Sequence, residues 1–489
     1  MKKVSKEQVV KRLDIENPWW RDGHIPKLFR AFKPRAYLEL FYPLVESRKV
    51  RRATVLMGPR RVGKTVLIHH AIQNLIATGV SPNRIAYFSV DHPIYNGLAL
   101  ESFLDFYAEA TGVDYLQDEC FFFFDEIQYL KNWEVHLKAI VDRFPNLKCT
   151  VSGSAAAALK LKSHESGAGR FSDFLLPPLT FHEYLDLLDK NHLIVPSDSE
   201  FGFFSTNNIE ELNENFIHYL NFGGYPEVIF SKEIQADPGR FIKNDIIDKV
   251  LLRDLPGLYG VQDIQELNYL FTTLAFNSSN EVSLEELSRG AGVAKNTIKR
   301  YIEYLEAAFL IRTVHRVDRT AKRFRRANFF KVYLTNPSIR SALFAPITDD
   351  DPAMGEVSET AVFSQWFHSE ILLYYARWKN GEVDIVNIGR GQEVECAIEV
   401  KWSDRFYKKP VELKSLLRFC HSNNLDSAAV TTKSKTGSTT MENVDLEFIP
   451  TSLYCYTVGH NLIKGKQDLH EEGQKKHFKR PAKLPSRWP

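Results

Sequence analysis

The octapeptide Gly58-Pro59-Arg60-Arg61-Val62-Gly63-Lys64-Thr65 follows an apolar run and opens an apolar-periodic stretch that starts at Lys64. A buried strand, a glycine-bearing turn and a helix in that order leave the chain few folds to choose from. A turn of the form G-x-x-x-x-G-K-[ST] lets backbone N–H groups wrap phosphate oxygens, and the helix N-terminus adds its dipole. Lys64 is then placed to reach the outer phosphates and Thr65 to ligate Mg²⁺. All eight residues are candidate nucleotide contacts, with ATP and Mg²⁺ as the expected cofactors.

The pattern continues as strand and helix in alternation. Residues 85–90, 121–124 and 148–151 read as strands, and residues 103–110 and 133–143 as helices. Alternation at this spacing predicts an α/β fold on a parallel, doubly wound sheet. Four phenylalanines, 121–124, run directly into Asp125-Glu126. A buried strand that delivers Asp125 to the metal and Glu126 to the attacking water is the expected second half of an ATP-hydrolysing site. Ser154 reads as a γ-phosphate sensor or as a simple turn serine. Arg170 reads as an arginine finger reaching a neighbouring subunit's nucleotide or as an ordinary surface arginine.

At 489 residues the chain is too long for one core, and about 150 residues per domain suggests roughly three. Apolar (44%) and charged (25%) fractions exclude collagenous, disordered and disulfide-dense classes. The five cysteines are odd in number, widely spaced and form no C-x-x-C, which points to a reducing cytoplasm. The charged N-terminus has no apolar core of a signal peptide, and no run of about 18 apolar residues exists to span a membrane.

The chain resembles a prokaryotic family of AAA+-type P-loop ATPases that carry a winged helix and a C-terminal restriction-endonuclease-like, PD-(D/E)xK domain. The resemblance rests on Asn17-Pro18-Trp19-Trp20, the octapeptide 58–65, Asp125-Glu126-Ile127-Gln128, Gly153-Ser154, Gly169-Arg170, Pro177-Pro178-Leu179, Gly223-Gly224-Tyr225-Pro226 and Glu399-Val400-Lys401. They follow the family's order over about 80% of the chain. The resemblance implies a multidomain α/β protein: an N-terminal helical segment (1–50), an AAA+ core (51–180), a helical lid (181–260), a winged helix (261–336), an endonuclease-like domain (337–455) and a basic tail (456–489). It also implies a homo-oligomer.

Net charge is only +2, but residues 312–331 carry a local +7 and residues 464–489 a local +5. Two basic islands on an acidic body suggest anion contacts, DNA above all, or else a solvated wing and a frayed tail. Ser283 and Glu286 form a capping box ahead of a first helix, and Gly290-Ala291-Gly292-Val293 turns into a second. Ile298, Tyr301, Ile302 and Leu305 make that helix's apolar stripe and leave Lys295, Lys299 and Arg300 outside it. With Arg323, Arg325 and Arg326 of the following loop, these are the candidate DNA contacts. A protein-packing module is the other reading.

Asp384 in Glu382-Val383-Asp384 and, fifteen residues on, Glu399-Val400-Lys401 resemble the D…E-x-K core of restriction-type nucleases. On a strand, residues i and i+2 share a face, so Glu399 and Lys401 project together. Asp384 and Glu399 are candidate Mg²⁺ ligands, Lys401 the group that acts on water and developing charge, and Glu359 an additional acid. An amphipathic hairpin with a cross-strand ion pair is the plainer alternative. The sequence thus points to an ATP-driven DNA enzyme with a Mg²⁺-dependent nuclease. The alternative is a nucleotide-switched DNA- or protein-binding regulator whose nuclease-like domain is silent.

Overall fold

Five consecutive residues, Ala53–Met57, form β1, and every one is buried, as a strand covered on both faces requires. A computed structural model describes residues 5–47, 49–153, 169–197, 204–323, 328–369, 371–389 and 391–475. They fall into two compact units, Met1–Leu176 and Pro177–Pro489.

In the first unit β1 joins β2 (Ile85–Ser89), β3 (Cys120–Asp125), β4 (Leu147–Gly153) and β5 (Phe171–Leu175). The sheet order is β2-β3-β4-β1-β5 and every pairing is parallel. The expected strands lie where the apolar runs put them. β5 went unread because it is an edge strand of mixed composition, half-buried except at an exposed Asp173. In such a sheet ligands gather beyond the carboxyl ends of the strands, and both the 58–65 turn and Asp125 sit there.

The N-terminal segment belongs to this unit and covers the free edge of β2. Asn17 accepts from Tyr87 N (2.6 Å) and donates to Tyr87 O (2.9 Å), standing in for a neighbouring strand. Trp19 and Trp20 both donate their indole N–H to Ile85 O, at 3.0 and 2.7 Å. An edge dressed this way presents no free ladder to another chain.

The second unit is built on nine strands: β8 (Glu281–Ser283), β9 (Ile311–Val317), β10 (Phe329–Leu334), β11 (Leu373–Trp378), β12 (Gly381–Ile388), β13 (Val394–Glu399), β14 (Ser427–Thr432), β15 (Gly437–Met441) and β16 (Val444–Pro450). A separate two-residue ladder joins β6 (Ile194–Val195) to β7 (Ser205–Thr206). The large sheet runs β15-β16-β14-β13-β12-β11-β9-β10-β8. The boundary expected at 336/337 therefore falls inside one sheet: β9 pairs with β11 in parallel through Tyr374↔His315, Tyr375↔Arg316 and Ala376↔Val317. The expected lid, 181–260, shares its core with this sheet as well. Phe181, Phe216 and Tyr219 cluster with Val357 and Ala361 of the helix Met354–Gln365 and with Ile398 and Ile449 of the strands.

Residues 456–475 of the expected basic tail are helical, and residues 476–489 lie outside the described residues. Thr451–Lys475 is one helix, and Leu453, Tyr454, Cys455, Val458 and Ile463 are buried. The charge count over residues 464–489 masked an apolar face that ends just before them. All five cysteines are free and buried. No helix among the described residues is long and apolar enough to cross a membrane.

Two motifs without an evident role in the sequence acquire one here. Leu179 N donates to Gly224 O at 3.1 Å, and Tyr219 OH donates to Leu179 O at 2.9 Å. Gly224 has no room for a side chain, since a Cβ would lie 2.4 Å from Asn336 Oδ1 and 2.7 Å from Ser338 Oγ. The Pro-Pro-Leu and Gly-Gly-Tyr-Pro segments are thus the two sides of one packed corner.

Candidate functional site

The 58–65 turn leaves the carboxyl end of β1 and feeds the helix Lys64–Ala77. Gly58 must be glycine, because a Cβ would lie 2.3 Å from Leu176 O. Gly63 adopts φ 94° at the helix N-cap, and no side chain among the described residues caps that end, so its first amides face the turn. The Lys64 side chain is buried and donates to Gly58 O (3.0 Å) and Pro59 O (2.9 Å), inside the turn it is expected to serve. Arg35, from the N-terminal segment, buttresses the turn through Val62 O at 2.8 Å.

Asp125 lies at the end of β3 and collects three hydroxyls. Thr65 Oγ1 donates to its Oδ2 at 2.6 Å, Tyr87 OH donates to the same oxygen at 2.9 Å, and Ser152 Oγ donates to Oδ1. Ser152 also accepts the Glu126 N–H at 3.1 Å. Glu126 sits in the left-handed region at φ 57° and accepts from Gln128 Nε2. Burial, then the neighbouring Asp125 charge, raises its pKa, which suits a group that must take up a proton. The donor set fits Mg²⁺ with a triphosphate: hard oxygens from Thr65 and Asp125, an ammonium, and the amides of a helix N-terminus. Tyr87 and Ser152 were not foreseen. They lie on flanking strands, and only the sheet order brings them to Asp125.

Ser154 lies outside the described residues. Arg170 is described, but at the opposite end of the sheet from the turn. Its carbonyl accepts from Ala53 N, at the start of β1, and its guanidinium pairs with Asp142 at 3.0 Å. Five strand residues, about 16 Å, separate that end from the turn. Arg170 is out of reach of its own chain's nucleotide turn.

In the second unit the D…E-x-K residues converge. Register pairs Ile385 with Ile398, which puts Asp384 opposite Glu399 across the β12–β13 hairpin. Lys401 Nζ bridges them, at 3.0 Å from Asp384 Oδ2 and 2.9 Å from Glu399 Oε1. Asp384 Oδ2 also accepts Val400 N at 2.8 Å. Glu399 Oε2 is buried without a hydrogen-bond partner among the described residues. Burial, reinforced by Asp384, pushes the Glu399 carboxyl up to about 7. Burial alone would raise Asp384 too, but the Lys401 and Lys331 ammoniums hold it below the usual carboxylate range.

Glu359, on the helix Met354–Gln365, joins this cluster but is already engaged. It accepts from Lys331 Nζ at 3.0 Å and from Tyr333 OH at 2.5 Å. Lys331 also reaches Glu382 at 2.7 Å. Among the described residues no three His, Cys, Asp or Glu side chains are arranged as metal ligands. Asp384 and Glu399 remain as a two-carboxylate set with one oxygen unused. Such a set fits Mg²⁺, which characteristically takes one or two carboxylates and completes its shell with water and substrate.

Ahead of β9, the helices Ile264–Phe276, Leu284–Ala291 and Lys295–Ala307 alternate with β8 and lead into β9 and β10. Ser283 caps the second helix through Glu286 N at 3.1 Å. Ile298, Tyr301, Ile302 and Leu305 are buried, and Lys295, Lys299 and Arg300 are exposed. Lys295 and Lys299 lie near Glu285 and Glu303, at 3.5 and 3.9 Å. Arg323 is exposed with its guanidinium 4.8 Å over the Tyr374 ring; Arg325 and Arg326 lie outside the described residues. The basic island of 312–331 is smaller than its charge count. Lys331 is buried in the acid cluster, Arg316 pairs with Glu281, and Arg312 Nη1 donates to Phe367 O.

Residues 50–185 match the family model described as AAA domain, and residues 213–351 match a domain of unknown function, DUF8612. The uncharacterized protein MJ1637 of Methanocaldococcus jannaschii is 27% identical over 334 residues, covering 65% of this chain and 68% of that one. MJ1544 of the same organism is 23% identical over 384 residues, covering 76% and 80%. Among solved structures, replication initiator DnaA bound to AMPPCP and single-stranded DNA aligns at 15% identity with a TM-score of 0.27, covering 55% of this chain and 87% of that one. The match over residues 50–185 places an AAA-type P-loop domain in the first unit, consistent with its parallel five-stranded sheet.

Proposed function

We propose that this chain hydrolyses ATP in its first unit and uses the nucleotide state to govern DNA bound by the second, where a Mg²⁺-dependent nuclease site acts. The observation that carries the ATPase reading is the linked set Thr65–Asp125–Ser152–Glu126, in which one serine fixes both acids. Lys64 leaves its carbonyl contacts for the outer phosphates, Thr65 and Asp125 hold Mg²⁺, and Glu126 accepts the proton of the attacking water. Mg²⁺, when bound, spreads the charge that develops on the phosphoryl oxygens. Lys64→Ala should abolish nucleotide binding. Glu126→Gln should bind ATP and turn over at least a hundredfold more slowly; wild-type turnover in that variant overturns the assignment.

Arg170 serves a neighbour's site in this reading, so the active form is a head-to-tail homo-oligomer. Light scattering with ATP and DNA present tests this, and a strict monomer refutes it. DNA contact is assigned to a winged helix formed by residues 264–334. Support comes from the order of its helices and strands and from the exposed Lys295, Lys299, Arg300 and Arg323.

The nuclease reading rests on the convergence of Asp384, Glu399 and Lys401. Lys401 orients water and screens charge on the phosphate, and Asp384 and Glu399 hold Mg²⁺. Asp384→Ala and Lys401→Ala should each stop cleavage and leave ATP hydrolysis intact. A second reading, a regulator whose nuclease-like site is silent, is favoured by the bridging position of Lys401 between both carboxylates. Incubation with linear, circular and branched DNA, with and without ATP and Mg²⁺, decides between them; no cleavage of any form selects the second.

A further inference from the structure

Lys331 lies on β10, apart in the sheet from the β12–β13 hairpin that carries Asp384 and Glu399, yet it enters their cluster. Its side chain is only 4% exposed, so it is no surface contact for DNA. The ammonium stands 3.0 Å from Glu359 Oε1 and 2.7 Å from Glu382 Oε1, and its positive field extends to Asp384. Tyr333, two residues on and therefore on the same face of β10, donates to the same Glu359 oxygen. Asp384 is consequently flanked by two tethered cations, Lys401 on the side of Glu399 and Lys331 on the side of Glu359.

We propose that Lys331 fixes the cation stoichiometry of the Asp384/Glu399 site. By engaging Glu359 and Glu382, it fills with one tethered charge the place where a third carboxylate would admit a second divalent ion. The proposal rests on the reading of Asp384 and Glu399 as Mg²⁺ ligands. Two-ion sites hold their metals about 3.5–4 Å apart between shared carboxylates. An ammonium within 3.0 Å of both Glu359 and Glu382 occupies that volume and repels a second ion. Removing it opens the space and leaves the cluster one positive charge poorer. Lys331 is a positioning residue here, acting through Glu359.

The test is a Mn²⁺ titration followed by electron paramagnetic resonance. It uses nucleotide-free full-length chain in an Asp125→Asn background, so that the first unit contributes no site. With Lys331 intact the chain should bind one ion, lost on Asp384→Asn. Lys331→Met should bind two and return to one when Glu359→Gln is added, and Lys331→Arg should stay at one. A single ion in Lys331→Met overturns the proposal and leaves the metal reading standing. No ion with Lys331 intact overturns both. If Lys331→Met unfolds for want of its buried charge, thermal melting with Mn²⁺ supplies the readout. A larger gain in melting temperature with Mn²⁺ in Lys331→Met than in Lys331→Met/Glu359→Gln, which keeps one ion, supports the proposal, and equal gains in the two overturn it.

Discussion

Ser152→Ala separates positioning from nucleotide binding. The side chain is fully buried, donates to Asp125 Oδ1 and accepts the Glu126 N–H at 3.1 Å. Alanine keeps the strand and nearly the volume, so the loss is confined to those two bonds. A hydrogen bond to a charged acceptor contributes about 1.5–3 kcal/mol, and a buried N–H left unpaired costs about 1–3 kcal/mol. Stability should therefore fall by about 3 kcal/mol. If about 2 kcal/mol of that is felt in the transition state, where Asp125 and Glu126 must both be in place, kcat drops roughly 30-fold. KM for ATP should stay within about threefold, because Lys64 and the turn amides are untouched. A coupled ATPase assay with a thermal melt reads both numbers. The neighbouring Thr150 is the control: its buried hydroxyl has no partner among the described residues, so Thr150→Val should be neutral or stabilising. Wild-type kcat in Ser152→Ala, or a lost ATP affinity with kcat retained, would refute the reasoning.

Gly224→Ala forces a methyl group against Asn336 and Ser338 and should cost about 2–3 kcal/mol in urea denaturation. His69 is buried, stacks on Phe29 and contacts Thr65 O at 2.8 Å, and burial lowers its pKa to about 4. The unfolded chain therefore binds more protons between about pH 6.5 and 4. Stability should be lost as pH falls through that window, by on the order of 3 kcal/mol, and His69→Gln should flatten the slope in pH-dependent melts. Replacing Arg323, Arg325 and Arg326 by Ala should reduce the salt slope of DNA binding by about 0.9 for each phosphate no longer neutralised; an unchanged slope places the DNA elsewhere.

What the sequence disclosed follows from how locally each feature is specified. The β1–turn–helix unit and the Asp125-Glu126 strand end are contiguous, and short apolar runs located four of the five strands of that sheet. The D…E-x-K set was legible because strand alternation fixes Glu399 and Lys401 on one face and a short hairpin supplies Asp384. Tyr87, Ser152 and Lys331 were not, since each reaches its site only through strand order, which no local pattern encodes. Lys331 misled outright: a charge count treats every lysine as solvated, and this one is paired inside. β5 and the helix Thr451–Lys475 were missed for a related reason, because polar residues at an edge or on one face dilute the apolar signal that marks them.

The parallel pairing of β9 with β11 bears on how this protein can be divided. A chain cut after residue 336 would keep β9 and lose its neighbour, exposing the backbone donors and acceptors that now face Tyr374, Tyr375 and Ala376. A fragment beginning at 337 would bare the matching edge of β11. Two complementary open edges are an invitation to self-association, so either piece made alone should precipitate or pair with copies of itself, and the two expressed together should find each other. Modular exchange of the helical part between relatives therefore has to carry the strands on both sides of that seam.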